Sequence, residues 1–559
     1  MTLSYDDAVA QITGPGERYE THEIQVGDIT YTAFKGAPSS LKELFDLTRL
    51  YGDAEFLVYE DERYTFADVY ARADGLAAAL VERYGVQKGD RVAIAMRNYP
   101  EWIITYLGAL SIGAVVVSTN AWWTAEEMEY GLADSGTSVL VADAERVERS
   151  RGAASHLGVR TIGVRLDEEG TPPDVDRWED VVVVGATRPE VAVEPDDDAT
   201  ILYTSGTTGH PKGAVSTHRA VVQALMGFGC KSSIDSLRRP EEAAGRTGAP
   251  CFILIVPLFH VTGNVPVMLG SLASGLKLVI MHKWDPGKAL ELIEREKVTN
   301  LVGVPTQSWD LLEHPDFEKY DTSTLASVGG GGAPAPPQLV GRVGSAFKAA
   351  KPNIGYGMTE ANAYGPGNSG TDYETNPTST GRSTPILEVE IRDPDANPVP
   401  RGERGEIWMK GPNVIRGYWN KPEATAEAIV DGWLRTGDLG RMDDEGFVYI
   451  EDRAKDMILR GGENVYSAEV EAAIYEYPAV YEAAVFGLPH DRLGEEVAVA
   501  LVPRPGQTID EHELRLFLSE HIAAFKIPTK VFIFDEALPR NPAGKILKRQ
   551  LRDELAPEA

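Results

Sequence analysis

The sequence predicts an α/β protein: a large N-terminal domain with mostly parallel, covered sheets plus a β-rich subdomain, then a small α+β C-terminal domain. Three observations carry this expectation. Short apolar runs alternate with stretches of helical periodicity from residue 56 to about 350, and such alternation implies a parallel sheet covered by helices. From about residue 377 the texture changes to short strands and turns. After Asp452-Arg453-Ala454-Lys455 comes a strand-and-helix unit of roughly a hundred residues, an ordinary domain size. The division falls as 1–452 and 453–559.

Residues 1–50 carry weak signals. Residues 56–59 and 63–65 read as strands. A helix is expected from Thr65 to about Tyr84, because Phe66, Val69, Tyr70, Ala73, Leu76 and Leu80 recur at helical spacing. Thr65-Phe66-Ala67-Asp68 reads as a capping box with Asp in the place of Glu. Strands at 91–96, 114–118 and 138–142 alternate with helices at 100–113 and 126–135. The alternation resumes with a strand at 199–203, a helix at 217–228, strands at 253–256, 278–281 and 300–304, and a helix at 286–296. Residues 231–249 are charged and poor in apolar side chains, and read as a mobile surface loop. Short strands are expected at 389–391, 406–409 and 447–450. The last unit reads as a helix at 467–475, strands at 483–486 and 497–502, a helix at 510–521 and a strand at 530–534.

The chain has 559 residues, 43% of them hydrophobic, enough for large cores. Lys and Arg number 54 against 85 Asp and Glu, a formal net charge of -31. That excludes nucleic acid as a partner, since phosphate-backbone binding needs a basic face, and it argues against anionic membranes. A nucleotide or a carboxylate would be repelled at long range, so a site for one needs local cations and metal. Two cysteines, Cys230 and Cys251, predict no disulfide framework and fit a reducing cytoplasm. The N-terminus shows neither a basic n-region nor an apolar h-region, so no signal peptide is read. The apolar stretch 102–117 is shorter than the ~20 residues of a membrane span. The stretch 251–281 is interrupted by Pro257, His260, Asn264, Pro266 and Lys277. Both read as buried core, and no integral membrane association is expected. A homodimer is compatible with the sequence.

The densest chemistry lies in Tyr203-Thr204-Ser205-Gly206-Thr207-Thr208-Gly209-His210-Pro211-Lys212-Gly213. Glycines let backbone N–H groups turn toward an anion. The hydroxyls add rotatable donors, and Lys212 adds a point charge. A strand before and a helix after would make this a phosphate cradle. It is not a Walker loop, which needs Gly-Lys-Ser/Thr. Gly355-Tyr356-Gly357-Met358-Thr359-Glu360 flanks an aromatic that could stack on a purine with glycines, and offers Glu360 as a hard ligand for Mg²⁺. Thr436-Gly437-Asp438 alone is a turn with a carboxylate, and Arg460-Gly461-Gly462-Glu463 alone is a turn. Leu538-Pro539-Arg540-Asn541-Pro542-Ala543-Gly544-Lys545 places a lysine at a loop tip. His260, after a buried strand, alone reads as a structural histidine. Gly329 to Gly332, followed by Ala333-Pro334, leaves a wall without side chains, which suggests room for a long or ring-bearing group.

As an ordered set, from about Phe56 to Lys548, these stretches resemble the motifs of the adenylate-forming superfamily, in its acyl-CoA synthetase and fatty-acid–CoA ligase branch. The resemblance implies ATP, Mg²⁺ and coenzyme A as cofactors and a small-molecule carboxylic acid as substrate. It assigns the phosphates to Thr204, Ser205, Gly206, Thr207, Thr208, Gly209 and Lys212. It assigns the adenine side to Gly332, Ala333, Pro334, Gly355, Tyr356 and Gly357, an ATP-contacting hydroxyl to Thr359, the metal to Glu360, and the ribose to Asp438 and Arg453. Lys545 serves adenylation, with Lys212, His260, Thr359 and Glu360 beside it. Lys455 is the hinge of a mobile C-terminal domain, and Gly461 and Gly462 face CoA. Phe259, His260, Gly330, Gly331 and Met358 line the acyl pocket. One departure is Ile354, where many relatives carry a polar residue, so adenine contact there falls to the backbone or to Asn353. The implied reaction is acid plus ATP to acyl-adenylate and pyrophosphate, then CoA to acyl-CoA and AMP. Medium- or long-chain fatty acids lead as the acid. The alternatives are an aryl, alicyclic or steroid side-chain acid, a CoA-independent adenylation, and a non-catalytic nucleotide sensor.

Overall fold

The computed structural model describes residues 3–204, 210–244, 249–332, 337–347, 350–461, 463–490, 492–541 and 544–556. Among these residues two eight-stranded sheets form the large domain. One runs Gly417–Tyr418, Lys212–Thr217, Asp198–Thr204, Val115–Ser118, Arg91–Ala95, Thr137–Asp143, Arg160–Val164 and Val175–Arg177. The other runs Gly367–Ser369, Lys351–Gly355, Ser327–Gly331, Asn300–Gly303, Cys251–Leu254, Lys277–Ile280, Glu55–Tyr59 and Glu62–Thr65. Most pairs are parallel; the antiparallel ones are Gly417–Tyr418 with Lys212–Thr217 and Lys212–Thr217 with Asp198–Thr204 in the first sheet, and the two edge pairs of the second. The expected mostly parallel, covered sheets are therefore present, and their strands read as apolar runs because both faces are buried.

One hydrophobic core joins the two sheets, with Val92, Ile94 and Val116 from the first and Ile253, Leu278 and Val328 from the second. Helix Pro100–Ser111 lies in it and is buried at every residue, which accounts for the apolar stretch 102–117. Helix Phe66–Glu82 begins at the predicted capping box. The Asp68 N–H donates to Thr65 Oγ1 at 3.0 Å, and the Thr65 N–H donates to Asp68 Oδ2 at 3.1 Å. Among the described residues no helix is long and apolar enough to cross a membrane.

The expected loop at 231–249 is corrected. Helix His218–Arg238 continues through it, followed by Pro240–Ala244. Arg238 and Arg239 are buried, and both guanidiniums pair with Asp372. The charges that made this stretch look solvated are neutralised from 134 residues away. Residues 245–248 lie outside the described set.

The β-rich subdomain is a five-stranded antiparallel sheet built on Arg404–Lys410 and Trp433–Met442. The C-terminal unit has five strands centred on Gly494–Pro503, with small cores on both faces. It touches the large domain at helix Pro305–Leu312. Asp310 accepts from Tyr481 Oη at 2.6 Å and from Trp284 Nε1 at 2.8 Å. Arg504 pairs with Glu313.

Candidate active site

Two antiparallel strands flank the glycine- and hydroxyl-rich stretch. Strand Asp198–Thr204 pairs antiparallel with Lys212–Thr217, Thr204 opposite Lys212. The expected strand–loop–helix order is thereby corrected: a second strand intervenes, and the helix starts at His218, where Thr217 Oγ1 accepts the Ala220 N–H at 3.2 Å. Thr204 Oγ1 donates to the Lys212 carbonyl at 3.3 Å. The hairpin base is anchored on helix Ala125–Ser135. Tyr203 Oη donates to Asp134 Oδ2 at 2.7 Å, Tyr130 Oη donates to the Pro211 carbonyl at 3.1 Å, and the Tyr130 ring stacks on His210. Ser205, Gly206, Thr207, Thr208, Gly209, Ala333, Pro334 and Gly462 lie outside the described residues.

Glu360 sits in a tight turn after strand Lys351–Gly355. Asn362 and Ala363 adopt φ of 54° and 60°. Such backbone is costly for Ala, and it persists only where the surroundings over-determine it. They do so here: a Cβ on Gly357 would lie 2.3 Å from the Ala363 carbonyl, and Asn413 Nδ2 donates to the Ala361 carbonyl at 3.0 Å. Glu360 is 7% exposed, and its Oε1 accepts from Tyr418 Oη at 2.7 Å. The Tyr418 ring lies 4.6 Å from Lys212 Nζ. Sequence reasoning missed Tyr418. Its signal, an aromatic pair after glycine in Gly417-Tyr418-Trp419, becomes informative only once Gly417–Tyr418 is seen to pair with the Lys212 strand. Burial, then the Glu360 charge, raise the Tyr418 phenol far above its ordinary value, so it stays a neutral donor.

Tyr356, Asp438 and Arg453 meet. Tyr356 Oη donates to Asp438 Oδ2 at 2.6 Å, and Arg453 Nε lies 3.1 Å from Asp438 Oδ1. Asp438 and Arg453 face each other across an antiparallel pair. The Asn353 amide donates to Ser327 Oγ at 2.6 Å.

Lys545 reaches this group from the C-terminal unit. Its loop is closed by Asn541, whose Oδ1 accepts the Lys545 N–H at 2.9 Å. Gly544, at φ 86°, packs where a Cβ would lie 2.8 Å from Val304 Cγ2. Burial first, then the nearby Arg453, hold the Lys545 ammonium down to a pKa of about 8. Desolvation and Arg453 also lower Lys455, which stands beside them. Among the described residues Lys212, Lys455 and Lys545 have no carboxylate partner.

The remaining candidates divide. His260 Nδ1 accepts the Thr262 N–H at 3.3 Å, and burial pushes its pKa down to about 4, so the ring is neutral at pH 7. Phe259 stands edge-on to Trp122 and lines a cavity of about 580 Å³ that also reaches Val304, Tyr481, Arg540 and Gly544. Gly330 and Gly331 end a strand beside Ile354 and Gly355, and Gly332 takes φ 74°. The expected open wall is corrected in part, since the Asn353 side chain fills the space over Gly329. Met358 is half-buried against the main core. Gly461 turns the hairpin of Ile458–Arg460 and Glu463–Val465, its N–H donating to the Leu493 carbonyl at 2.7 Å.

A hard cation fits Glu360. One carboxylate oxygen is held by Tyr418, and the other has no donor among the described residues. Mg²⁺ is commonly bound by one or two carboxylates together with substrate phosphates and water.

The chain was compared with known proteins. The model of the AMP-binding enzyme family matches residues 46–419, and that of the AMP-binding enzyme C-terminal domain matches 469–545. A feruloyl-CoA synthase of an Amycolatopsis species is 37% identical over 498 residues, covering 87% of this chain and 93% of that protein. A long-chain-fatty-acid–CoA ligase of Mycobacterium tuberculosis is 37% identical over 505 residues, covering 88% and 93%. The solved o-succinylbenzoate coenzyme A synthetase of Bacillus subtilis, in complex with ATP and magnesium ion, superposes with a TM-score of 0.76 at 30% identity, covering 91% of this chain and 99% of that one. The chain therefore belongs to the AMP-binding enzyme family, in the acyl-CoA synthetase branch of the adenylate-forming superfamily.

Proposed function

We propose that the protein is an ATP-dependent carboxylic acid–CoA ligase working through an acyl-adenylate. As a member of its family it is an AMP-forming acid–thiol ligase, with ATP and CoA as substrates. The observation that carries the residue assignment is that Lys212, Lys455 and Lys545 have no carboxylate partner among the described residues, in a chain of net charge -31. Lys455 and Lys545 stand near Asp438 and Arg453, and Lys212 lies over Tyr418, the partner of Glu360; cations so placed suit a polyanion.

A carboxylic acid is ionised at pH 7, its reference pKa being about 4.3. Its oxygen attacks the α-phosphorus of ATP; the new O–P bond forms as the bond to the leaving pyrophosphate breaks. Lys212, Lys545 and the hydroxyl and N–H groups of residues 204–209 offset the developing charge. Glu360 would hold Mg²⁺, which when bound supplies further charge neutralisation at the phosphates. Asp438 and Arg453 fix the ribose, and neutral His260 shapes the carboxylate end without adding charge. The CoA thiol, with a pKa of about 8.5 as for cysteine, then loses its proton and attacks the acyl carbon, and AMP leaves. Thr359, beside Glu360, supplies a hydroxyl at the phosphates. Gly461 and Gly462 are assigned to the CoA side.

The domain division at 452/453 and the hinge at Lys455 belong to this proposal. The two family matches leave Lys455 between them. Lys455→Pro is expected to spare pyrophosphate release and slow thioester formation; unchanged thioester output refutes the hinge. The pH dependence follows from Lys545. A base whose pKa is lowered to about 8 carries its charge below that pH and loses it above. The kcat/KM for ATP is therefore expected to fall on the alkaline side of about pH 8, since this ratio reports the free enzyme. Lys545→Arg should move that limb beyond the accessible range, and a limb unmoved by Arg assigns it to another group.

For the acid, medium- or long-chain fatty acids lead and ring-bearing acids follow; the two relatives described above act, by name, on one of each kind. A cytoplasmic location completes the proposal, with Cys230 and Cys251 free and buried. A homodimer is compatible with this reading, and sedimentation is the check. The deciding experiment measures pyrophosphate and AMP release over a panel of carboxylic acids, each with and without CoA. Release of AMP with thioester appearing only with CoA supports the ligase. Turnover indifferent to CoA points to adenylation alone, and ATP binding without turnover points to a sensor.

A further inference from the structure

We propose that Glu482 is a positioning residue for Lys545: it holds the loop that carries the lysine, and the large domain sets Glu482 itself through the Asp310–Tyr481 hydrogen bond. The proposal rests on the ligase reading above and deepens it, since it concerns the acyl-adenylate step alone.

Strand Val480–His490 pairs antiparallel with Gly494–Pro503, and its pairing is irregular at the start. Val480 faces Pro503 and Glu482 faces Val502, so Tyr481 has no residue opposite it and forms a β-bulge. Successive side chains of a regular strand point to opposite faces. Here Tyr481 and Glu482 both line the 580 Å³ cavity between the two units. Bulges beside active sites re-aim side chains in this way.

The two side chains grip different partners. Tyr481 Oη donates to Asp310 Oδ1 at 2.6 Å, and Trp284 Nε1 donates to Asp310 Oδ2 at 2.8 Å. Glu482, 5% exposed, turns instead to the loop of its own unit that ends in Lys545. Its Oε2 accepts the Leu538 N–H at 2.9 Å, and its Oε1 lies 2.7 Å from Arg540 Nη2. Arg540 Nη1 donates onward to the Gly544 carbonyl at 2.8 Å. That carbonyl and the Lys545 N–H belong to one peptide plane, and Asn541 Oδ1 takes the N–H at 2.9 Å. The peptide is fixed from both sides, and its plane sets the direction in which the lysine leaves the loop.

The large domain meets this chain of contacts twice, from one helix. Val304, which precedes helix Pro305–Leu312, packs against Gly544. Asp310 stands on the same helix, about 9 Å further along its axis. The loop is therefore seated at its Tyr481–Glu482 base and at its Gly544 tip by a single rigid element. The Glu482 charge is matched by Arg540, whereas the charges that bear most on Lys545 are those of Arg453, Asp456, Asp438 and Lys455. Glu482 thus acts on the lysine through the loop backbone and not through its own field.

The test measures the two half-reactions separately: pyrophosphate release from acid and ATP, and thioester formation from supplied acyl-adenylate and CoA. Glu482→Gln keeps an oxygen for the Leu538 N–H and removes the charge that holds Arg540. Its kcat for pyrophosphate release is expected to fall by about 10- to 100-fold, since misplacing a reacting group by about 1 Å costs up to that much. The KM for ATP should stay unchanged, because the lost interaction is made in the transition state. Thioester formation should run at the parent rate. Tyr481→Phe keeps the ring and loses only the bond to Asp310. It should lower the same step by about 10-fold, again sparing thioester formation, and it decides alone if Glu482→Gln does not fold. Equal loss in both steps overturns the proposal and makes the network a brace of the fold. A raised KM for ATP at unchanged kcat overturns it as well. If the parent activates acids and both variants match it, only this inference fails. If the parent activates no acid, the ligase reading fails and this one with it.

Discussion

Lys545→Ala is expected to abolish acyl-adenylate formation while sparing thioester formation from supplied acyl-adenylate. The ammonium reaches the Asp438–Arg453 pair from a loop on the other unit, and no carboxylate among the described residues competes for it. Removing one preorganised charge from a transition state costs on the order of 10²–10³-fold. A half-buried lysine with a lowered pKa contributes no fold stability through its charge, so the variant should fold normally. The second step breaks the bond between the acyl carbon and the phosphate oxygen and releases AMP, with no substitution at phosphorus for the lysine to assist. In the measurement, pyrophosphate release from acid and ATP collapses, and CoA added to synthetic acyl-adenylate still gives thioester at the parent rate. Equal loss in both steps would mean that Lys545 holds the closed arrangement of the two units instead of acting on the phosphate. Gly544 separates these cases. Its close fit against Val304 is a contact between the two units, so Gly544→Ala should mimic the equal-loss outcome.

The candidate residues were legible only as an ordered set: alone, Asp438 is a turn carboxylate, Glu360 a carboxylate after glycines and Lys545 a loop-tip charge, and Arg453 takes its place from the resemblance. Their convergence was not legible, because Tyr356 and Asp438 are 82 residues apart and meet only through strand register. The same limit hid Tyr418, which acquires meaning from its place beside Lys212. It also made 231–238 look like a solvated loop, since Asp372, which neutralises Arg238 and Arg239, lies on a distant helix. Local pattern did fix what is local in cause, as with the Thr65–Asp68 box that starts helix Phe66–Glu82. The strand Lys212–Thr217 escaped because a strand after a glycine-rich stretch carries no helical or long apolar signature.

Asp438→Ala is expected to weaken both ATP binding and the fold, and Asp438→Asn to separate the two effects. Asp438 is 4% exposed and is shared by the Tyr356 hydroxyl and the Arg453 guanidinium. Alanine leaves a buried phenol without an acceptor, a loss of about 1–3 kcal/mol. The Arg453 side chain is 38% exposed and can turn to water, so its lost pairing adds little. Asparagine keeps an oxygen for Tyr356 and removes only the charge. If Asp438 also holds the ribose, a charge-assisted hydrogen bond worth about 1.5–3 kcal/mol disappears in both variants, raising the KM for ATP by roughly 10- to 100-fold. Urea unfolding and ATP titration on the same preparations decide the matter. A raised KM in both variants, with the stability loss confined to alanine, supports a ribose ligand that also braces Tyr356. A normal KM in asparagine beside a destabilised alanine variant would reduce Asp438 to a strut between the Tyr356 turn and the Arg453 strand.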